Sequence, residues 1–262
     1  MSSQQTGTGS RALPVWAFLV LVVGYVVVTG LIGWAATIGI NVAYASPTSL
    51  DEVWRSLTLP IGIGLVLVAV AISALRWWRP VLTDDRPVQR WVVAVPVIMV
   101  VAILLATDYA GLADRGLGFT LLLLLSALFV GYAEEALFRG IGVTVFRARG
   151  FSEGKVALWS SVVFGLAHAA NLISTGPKAL IQVLVVAVAG YFFYLVRRRT
   201  GGLLVPGLLH GLWDFSLISS AVVPGRAYAG PIASVVALVV LAVLLLVRRR
   251  RIELVTPQSS RV

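Results

Sequence analysis

Eight long apolar runs constrain the fold of this 262-residue chain more than any other feature. A bilayer-crossing helix needs about 20 mostly apolar residues. The predicted spans are about 14–42, 57–75, 91–112, 117–146, 156–173, 179–196, 203–222 and 231–247. Charged residues make up only 12% of the chain, against about 25% in soluble domains. We therefore expect an all-α polytopic membrane bundle of about eight transmembrane helices.

The placement of charge divides the chain into four predicted segments. Residues 1–13 are polar, and we expect a disordered cytoplasmic N-terminus. Residues 14–116 hold three helices without buried charge, which predicts a packing role. Residues 117–222 hold four helices with all the buried charge, and residues 223–262 the last helix and a basic tail. The site is therefore expected in the third segment.

Basic residues predict the orientation of the bundle. Alternate loops carry 16 Lys and Arg on one side, which includes both termini, and 4 on the other. Because cytoplasmic loops are enriched in Lys and Arg, both termini are predicted to be cytoplasmic in an integral protein of the cell membrane. The net charge of +10 then reflects topology, and no nucleic-acid partner is expected.

Ionisable residues inside the apolar runs indicate a functional site, because burying them in a bilayer is costly. The candidates are Glu134, Glu135, Arg139, His168, His210 and Asp214. Counted from the basic flanks at about 1.5 Å per residue, Glu134 and His168 lie about 20 Å deep. His210 and Asp214 lie about 16 and 22 Å deep on the same basis. This common level predicts one shared cavity.

Helical spacing predicts the pairing of these side chains. Glu135 and Arg139 are separated by four residues and can form an ion pair, which leaves Glu134 to face the cavity. Asp214 follows His210 by one turn and is expected to fix its tautomer and orientation.

Each polar residue also has a structural interpretation. The glutamates and Arg139 would suit a solvated helix end, and each histidine a hydrogen bond between helices. Their common depth favours a site. Asn171 is expected to line the same pocket, and glycines near the site residues to allow close helix approach. These glycines are Gly131, Gly165 and Gly211.

Three motifs occur in order on the fourth, fifth and seventh predicted spans. They are Glu134-Glu135…Arg139, Phe164…His168 and His210…Asp214. Over about residues 117–222, this pattern resembles the CPBP family, the CAAX proteases and bacteriocin-processing enzymes, which includes the type II CAAX prenyl endopeptidases. The resemblance implies an intramembrane endopeptidase that hydrolyses a membrane-associated protein or peptide within the lipid bilayer.

The resemblance also implies residue roles. Glu134 would be the general base, and His168 would help to hold the attacking water. Arg139 would neutralise the glutamate pair through Glu135. His210 and the residue at position 214 would stabilise the oxyanion.

Position 214 leaves the mechanism open between metal-free and metal-dependent hydrolysis. Family members often carry Asn here, whereas Asp214 cannot donate a hydrogen bond unless it is protonated. Asp214 suits the orientation of His210 or the binding of a cation. Glu134, His168 and His210 could also hold a zinc ion with an open position for water. No other cofactor is predicted, and the absence of cysteine excludes thiolate chemistry.

Two non-proteolytic functions are alternatives. A membrane scaffold or immunity protein could keep this fold and its polar core without catalysis. A proton-coupled transporter could use intramembrane Glu and His as a relay, but no pair of corresponding broken helices is evident. The substrate and the oligomeric state are not predicted.

Overall fold

The computed structural model describes residues 13–254, and this part of the chain contains ten helices and no strand. The helices are α1 (Val15–Ala36), α2 (Leu50–Leu75), α3 (Trp78–Leu82), α4 (Arg90–Ala106), α5 (Tyr109–Arg115), α6 (Leu117–Ala148), α7 (Glu153–Thr175), α8 (Lys178–Thr200), α9 (Leu204–Ser219) and α10 (Pro231–Arg251). The all-α prediction is confirmed for these residues. The predicted disordered N-terminus, apart from Leu13, and the last eight residues of the basic tail lie outside them.

Six of these helices are long and apolar enough to cross a membrane. A seventh span results if α4 and α5, which meet at 54°, form one bent span. The predicted count of eight is not confirmed, because α9 has only 16 residues. At about 1.5 Å per residue, its length is about 24 Å, less than the bilayer core. α9 contacts α4, α6 and α8, so protein surrounds much of it.

A helix cap explains why the predicted span 91–112 is bent. Thr107 leaves the helical conformation after α4, and the Asp108 side chain accepts a hydrogen bond from the Gly111 backbone N–H at 2.9 Å. Such a side-chain acceptor begins a new helix. The apolar pattern continues across this break, so hydropathy alone does not reveal it.

Glycines bring the helices of the predicted third segment close together. A Cβ atom on Gly211 of α9 would lie 2.8 Å from Leu128 Cα of α6, and one on Gly131 of α6 would meet the α9 backbone. Gly165 of α7 faces the α8 backbone in the same way. The predicted close approach is confirmed at all three positions, and it brings α6 and α9 together where their polar residues lie.

A buried ion network ties the basic end of the bundle together. The side chain of Asp84, between α3 and α4, is fully buried and accepts from Arg147 Nη1 and Arg197 Nε, each at 2.9 Å. Arg198 donates to both carboxylate oxygens of Glu253 at 2.7 Å. Because the network joins α6, α8 and the segments beside α3 and α10, it fixes the end of the bundle beneath the site.

We expect Gly131→Ala to lower stability by about 1–3 kcal/mol, because the added methyl group has no room between α6 and α9. Thermal unfolding in detergent measures the effect. Gly24→Ala is the matched control, because Gly24 is an exposed helical glycine and a Cβ atom added to it would meet no atom within 4 Å. Equal melting temperatures for the two variants would contradict the close packing described here.

Candidate active site

Four of the predicted site residues meet where α6 crosses α9. They are Glu134, Glu135, His210 and Asp214, and they form the polar cluster. His210 Nδ1 lies 3.1 Å from Glu135 Oε1. His210 Nε2 lies 3.7 Å from Glu134 Oε2 and 3.6 Å from Asp214 Oδ2. One imidazole therefore contacts three carboxylates from two helices.

The α6 helix widens into a π-helical stretch over Glu135–Gly142, at the point where it enters the site. All eight residues of this stretch are buried. π-Helical turns are rare, and they occur frequently at functional sites. Here the stretch directs the Glu135 and Arg139 side chains into the protein interior, where neither is exposed.

Arg139 and Glu135 form the predicted ion pair, with Arg139 Nη1 donating to Glu135 Oε1 at 2.9 Å. The guanidinium carbon lies 4.0 Å from the centre of the Phe164 ring, so a cation–π contact supplements the ion pair. A Cβ atom on Gly190 of α8 would collide with Arg139 Nη2. Glycine at this position therefore makes room for a buried guanidinium.

His210 contacts Glu135 through Nδ1, which the sequence did not predict, and the orienting role of Asp214 stays a prediction. The Nδ1–H group of His210 donates to Glu135 Oε1, which also accepts from Arg139. Asp214 faces the opposite ring nitrogen, Nε2, at 3.6 Å. Phe193 stacks on the imidazole at 4.6 Å. The ring is therefore held on one edge and one face, and Nε2 points to the remaining carboxylates.

Within residues 13–254, Glu134 differs from its neighbour in lacking an arginine partner, although each of the two glutamates has one buried oxygen without a hydrogen bond. Its Oε2 atom is buried and has no hydrogen-bond partner among the described residues. The side chain as a whole is 13% exposed, whereas that of Glu135 is fully buried. Of the two adjacent glutamates, Glu135 is held by two partners at Oε1, whereas Glu134 has no arginine partner in the described part of the chain and is partly exposed.

His168 and His210 both contact the Phe164 ring edge to face. The centre of the Phe164 ring is 5.1 Å from that of His168 and 5.6 Å from that of His210. His168 Nδ1–H donates to the Phe164 carbonyl oxygen at 3.0 Å. In a neutral imidazole this leaves the Nε2 lone pair free to accept. His168 is close enough to Asp214 to act on it electrostatically, without a direct contact in the described structure.

Asn171 bonds to residues outside the polar cluster, and its place in the lining of the site stays a prediction. Its side-chain amide donates to the Tyr44 hydroxyl at 2.8 Å and to Gln182 Oε1 at 3.0 Å. Gln182 also donates to the Tyr44 hydroxyl, at 3.1 Å. Asn171 therefore attaches the loop between α1 and α2 to α7 and α8, and it does not join the polar cluster.

The candidate zinc ligands do not fit a metal site in this arrangement. Among residues 13–254, no group of three or more His, Asp or Glu side chains is placed to hold a metal ion. His210 uses Nδ1 to bond Glu135, and His168 uses Nδ1 to bond the Phe164 carbonyl oxygen. A three-ligand zinc site requires all donors within about 2.0–2.2 Å of one point.

Tyr25 of α1 is a neighbour of the polar cluster that the sequence analysis missed. Its hydroxyl is buried without a hydrogen-bond partner in the described part of the chain. Glu134 and Asp214 are close enough to act on it electrostatically. A tyrosine in a uniformly apolar helix resembles a packing residue, so the sequence offers no signal for this position.

Residues 116–216 match the family model described as "Type II CAAX prenyl endopeptidase Rce1-like". The match confirms the resemblance inferred from the three motifs. It includes the π-helical stretch, His168 and the polar cluster. A search of curated proteins finds no match. The proteolytic role of the individual residues remains a prediction.

We expect Glu135→Gln to destabilise the protein by roughly 3 kcal/mol, because it leaves the Arg139 guanidinium buried without its counter-charge. Glu134→Gln is the matched control, since Glu134 lacks such a partner. Thermal unfolding of both variants in the same detergent checks the difference. If Glu134→Gln were the more destabilising change, the roles assigned to the two glutamates would be reversed.

Proposed function

We propose that this protein is an intramembrane endopeptidase, as the Rce1-like match of residues 116–216 suggests, and that the polar cluster is its catalytic site. One observation carries the proposal: Glu135, held by Arg139, fixes His210 so that Nε2 lies 3.7 Å from the free oxygen of Glu134. This arrangement combines a free carboxylate oxygen with an oriented imidazole. Both lie among helices apolar enough to cross a membrane.

In the proposed reaction, Glu134 acts as the general base. Its unpaired Oε2 accepts a proton from a water molecule as the water oxygen attacks the scissile carbonyl carbon. The carbonyl π electrons move to oxygen and form a tetrahedral oxyanion. Glu134 then gives the proton to the amide nitrogen as the C–N bond breaks, which yields a carboxylic acid and an amine. His168 Nε2 accepts the second hydrogen bond of the attacking water.

His210 is the proposed partner of the oxyanion. As an imidazolium it donates from both ring nitrogens, from Nδ1 to Glu135 and from Nε2 to the developing negative charge. Asp214, 3.6 Å from Nε2, balances this positive charge. An ionised carboxylate has no proton to donate, so Asp214 is not assigned to the oxyanion itself.

The proposed substrate is a membrane-associated protein or peptide, and the proposed location is the cell membrane. We place the basic end of the bundle, with Arg147, Arg197 and Arg198, on the cytoplasmic side. On this orientation the polar cluster lies deep in the bilayer. A substrate segment must therefore enter the helical bundle to reach Glu134.

We expect Glu134→Gln to lower the cleavage rate by about 10²–10⁴-fold, because a general base typically contributes that much. Membranes from cells expressing wild type or the variant at matched levels are compared by mass spectrometry of protein termini. New termini should appear with wild type alone. Thermal unfolding verifies that the variant is folded. Identical termini from two folded proteins would favour the non-proteolytic scaffold.

We expect cleavage to survive exhaustive chelation, because Glu134, His168 and His210 are not arranged as a metal site. The measurement is the cleavage rate of purified protein before and after chelator treatment, with metal content determined on the same sample. A rate that falls on chelation and returns with added zinc would contradict the metal-free mechanism.

A further inference from the structure

The first helix presents a single buried stripe to the rest of the bundle. Phe18, Val22 and Tyr25 are its buried residues, at positions i, i+4 and i+7 of α1. This spacing places all three on one face of a helix. The rest of α1 is largely exposed on the protein surface and apolar, as expected for a helix that contacts lipid. Tyr25 has the only hydroxyl in the stripe.

Contacts at the start of α1 determine the position of Tyr25 along the axis of α6. A Cβ atom on Gly142 would lie 2.7 Å from Phe18 Cζ, and the Phe18 and Phe146 ring centres are 5.7 Å apart, so the start of α1 packs beside the last turns of α6. On the proposed orientation α1 begins and α6 ends on the cytoplasmic side, so the two helices run in opposite directions. Tyr25 lies seven residues further along α1, about 10.5 Å. Glu134 lies eight residues before Gly142, about 12 Å. Tyr25 and Glu134 therefore reach the same level.

The Tyr25 side chain is packed on one side and unpaired at its tip. The residue is 7% exposed, and a Cβ atom on Gly64 of α2 would lie 2.7 Å from its ring. Its hydroxyl has no partner among the described residues, although burying an unpaired hydroxyl is unfavourable. Glu134 Oε2 is also unpaired, and both Glu134 and Asp214 act on the hydroxyl electrostatically. Tyr25 and Glu134 thus lie at the same level, each with one buried oxygen that has no partner among the described residues.

We propose that the Tyr25 hydroxyl donates a hydrogen bond to the oxyanion of the tetrahedral intermediate, an assignment that rests on the proposed endopeptidase function. As the carbonyl π electrons move to oxygen, the phenol proton bonds to that oxygen and remains on Tyr25. A neutral phenol can donate, whereas ionised Asp214 cannot. Tyr25 and His210 then provide two donors, so α1 contributes a catalytic residue to a site otherwise built from α6, α7 and α9.

The Tyr25→Phe variant tests this role, because it keeps the ring that packs on Gly64 and removes only the hydroxyl. We expect kcat to fall about 10²–10³-fold with KM unchanged, as for loss of one oxyanion donor. The substrate is a peptide whose cleavage in wild-type membranes requires Glu134. The pH dependence of kcat/KM should remain that of wild type, because the general base is unaltered. Tyr191→Phe, on α8 near Arg198 and Glu253, is the matched control and should leave kcat unchanged.

Binding of two inhibitors provides a second test that does not depend on turnover. A phosphinic peptide, which mimics the tetrahedral intermediate, should bind Tyr25→Phe about 10²-fold more weakly than wild type. An uncleavable peptide of the same sequence should bind both equally. Unchanged kcat, a shifted pH profile or equal weakening of both inhibitors would overturn the role of Tyr25. If no peptide were cleaved in a manner that requires Glu134, the proposed function itself would fail.

Discussion

The candidate site depends on one buried oxygen, Oε1 of Glu135. It accepts from the Arg139 guanidinium at 2.9 Å and from His210 Nδ1 at 3.1 Å, so it links the two helices that carry the polar cluster. A buried charge in a membrane protein is costly unless it is paired. The pairing therefore stabilises α6 against α9 and determines which ring nitrogen of His210 faces Glu134.

The surrounding fold stabilises the contact of Glu135 with Arg139 and His210. Glycines at the α6–α9 crossing remove the side chains that would separate the two backbones, and Gly190 leaves room for the Arg139 guanidinium. The ion network around Asp84 fixes the basic end of the bundle. A π-helical stretch supplies Glu135 and Arg139 together. Because the glycine contacts, the ion network and the π-helical stretch hold the neighbouring helices in place, the short helix α9 can carry two site residues.

Local sequence spacing predicted what lies within one helix and failed where the partner lies on another. The Glu135–Arg139 pair, four residues apart, follows from helical geometry. The same reasoning placed Asp214 beside His210, where the two lie 3.6 Å apart, but it did not reveal that Glu135, 75 residues away, contacts Nδ1. Neither the position of Tyr25 near the site nor the short length of α9 was predicted, because an apolar run does not show which residues pack against it. The three motifs were sufficient to predict the family resemblance that the match over residues 116–216 confirms.

The central claim is that this protein itself adds water to a peptide bond. The most direct test uses purified protein in liposomes, a peptide cleaved in the cellular membranes, and water labelled with ¹⁸O. The account predicts cleavage with one ¹⁸O atom in the new carboxyl terminus, detected by mass spectrometry. A peptide that stays intact, or is cleaved without ¹⁸O in that carboxylate, would contradict it.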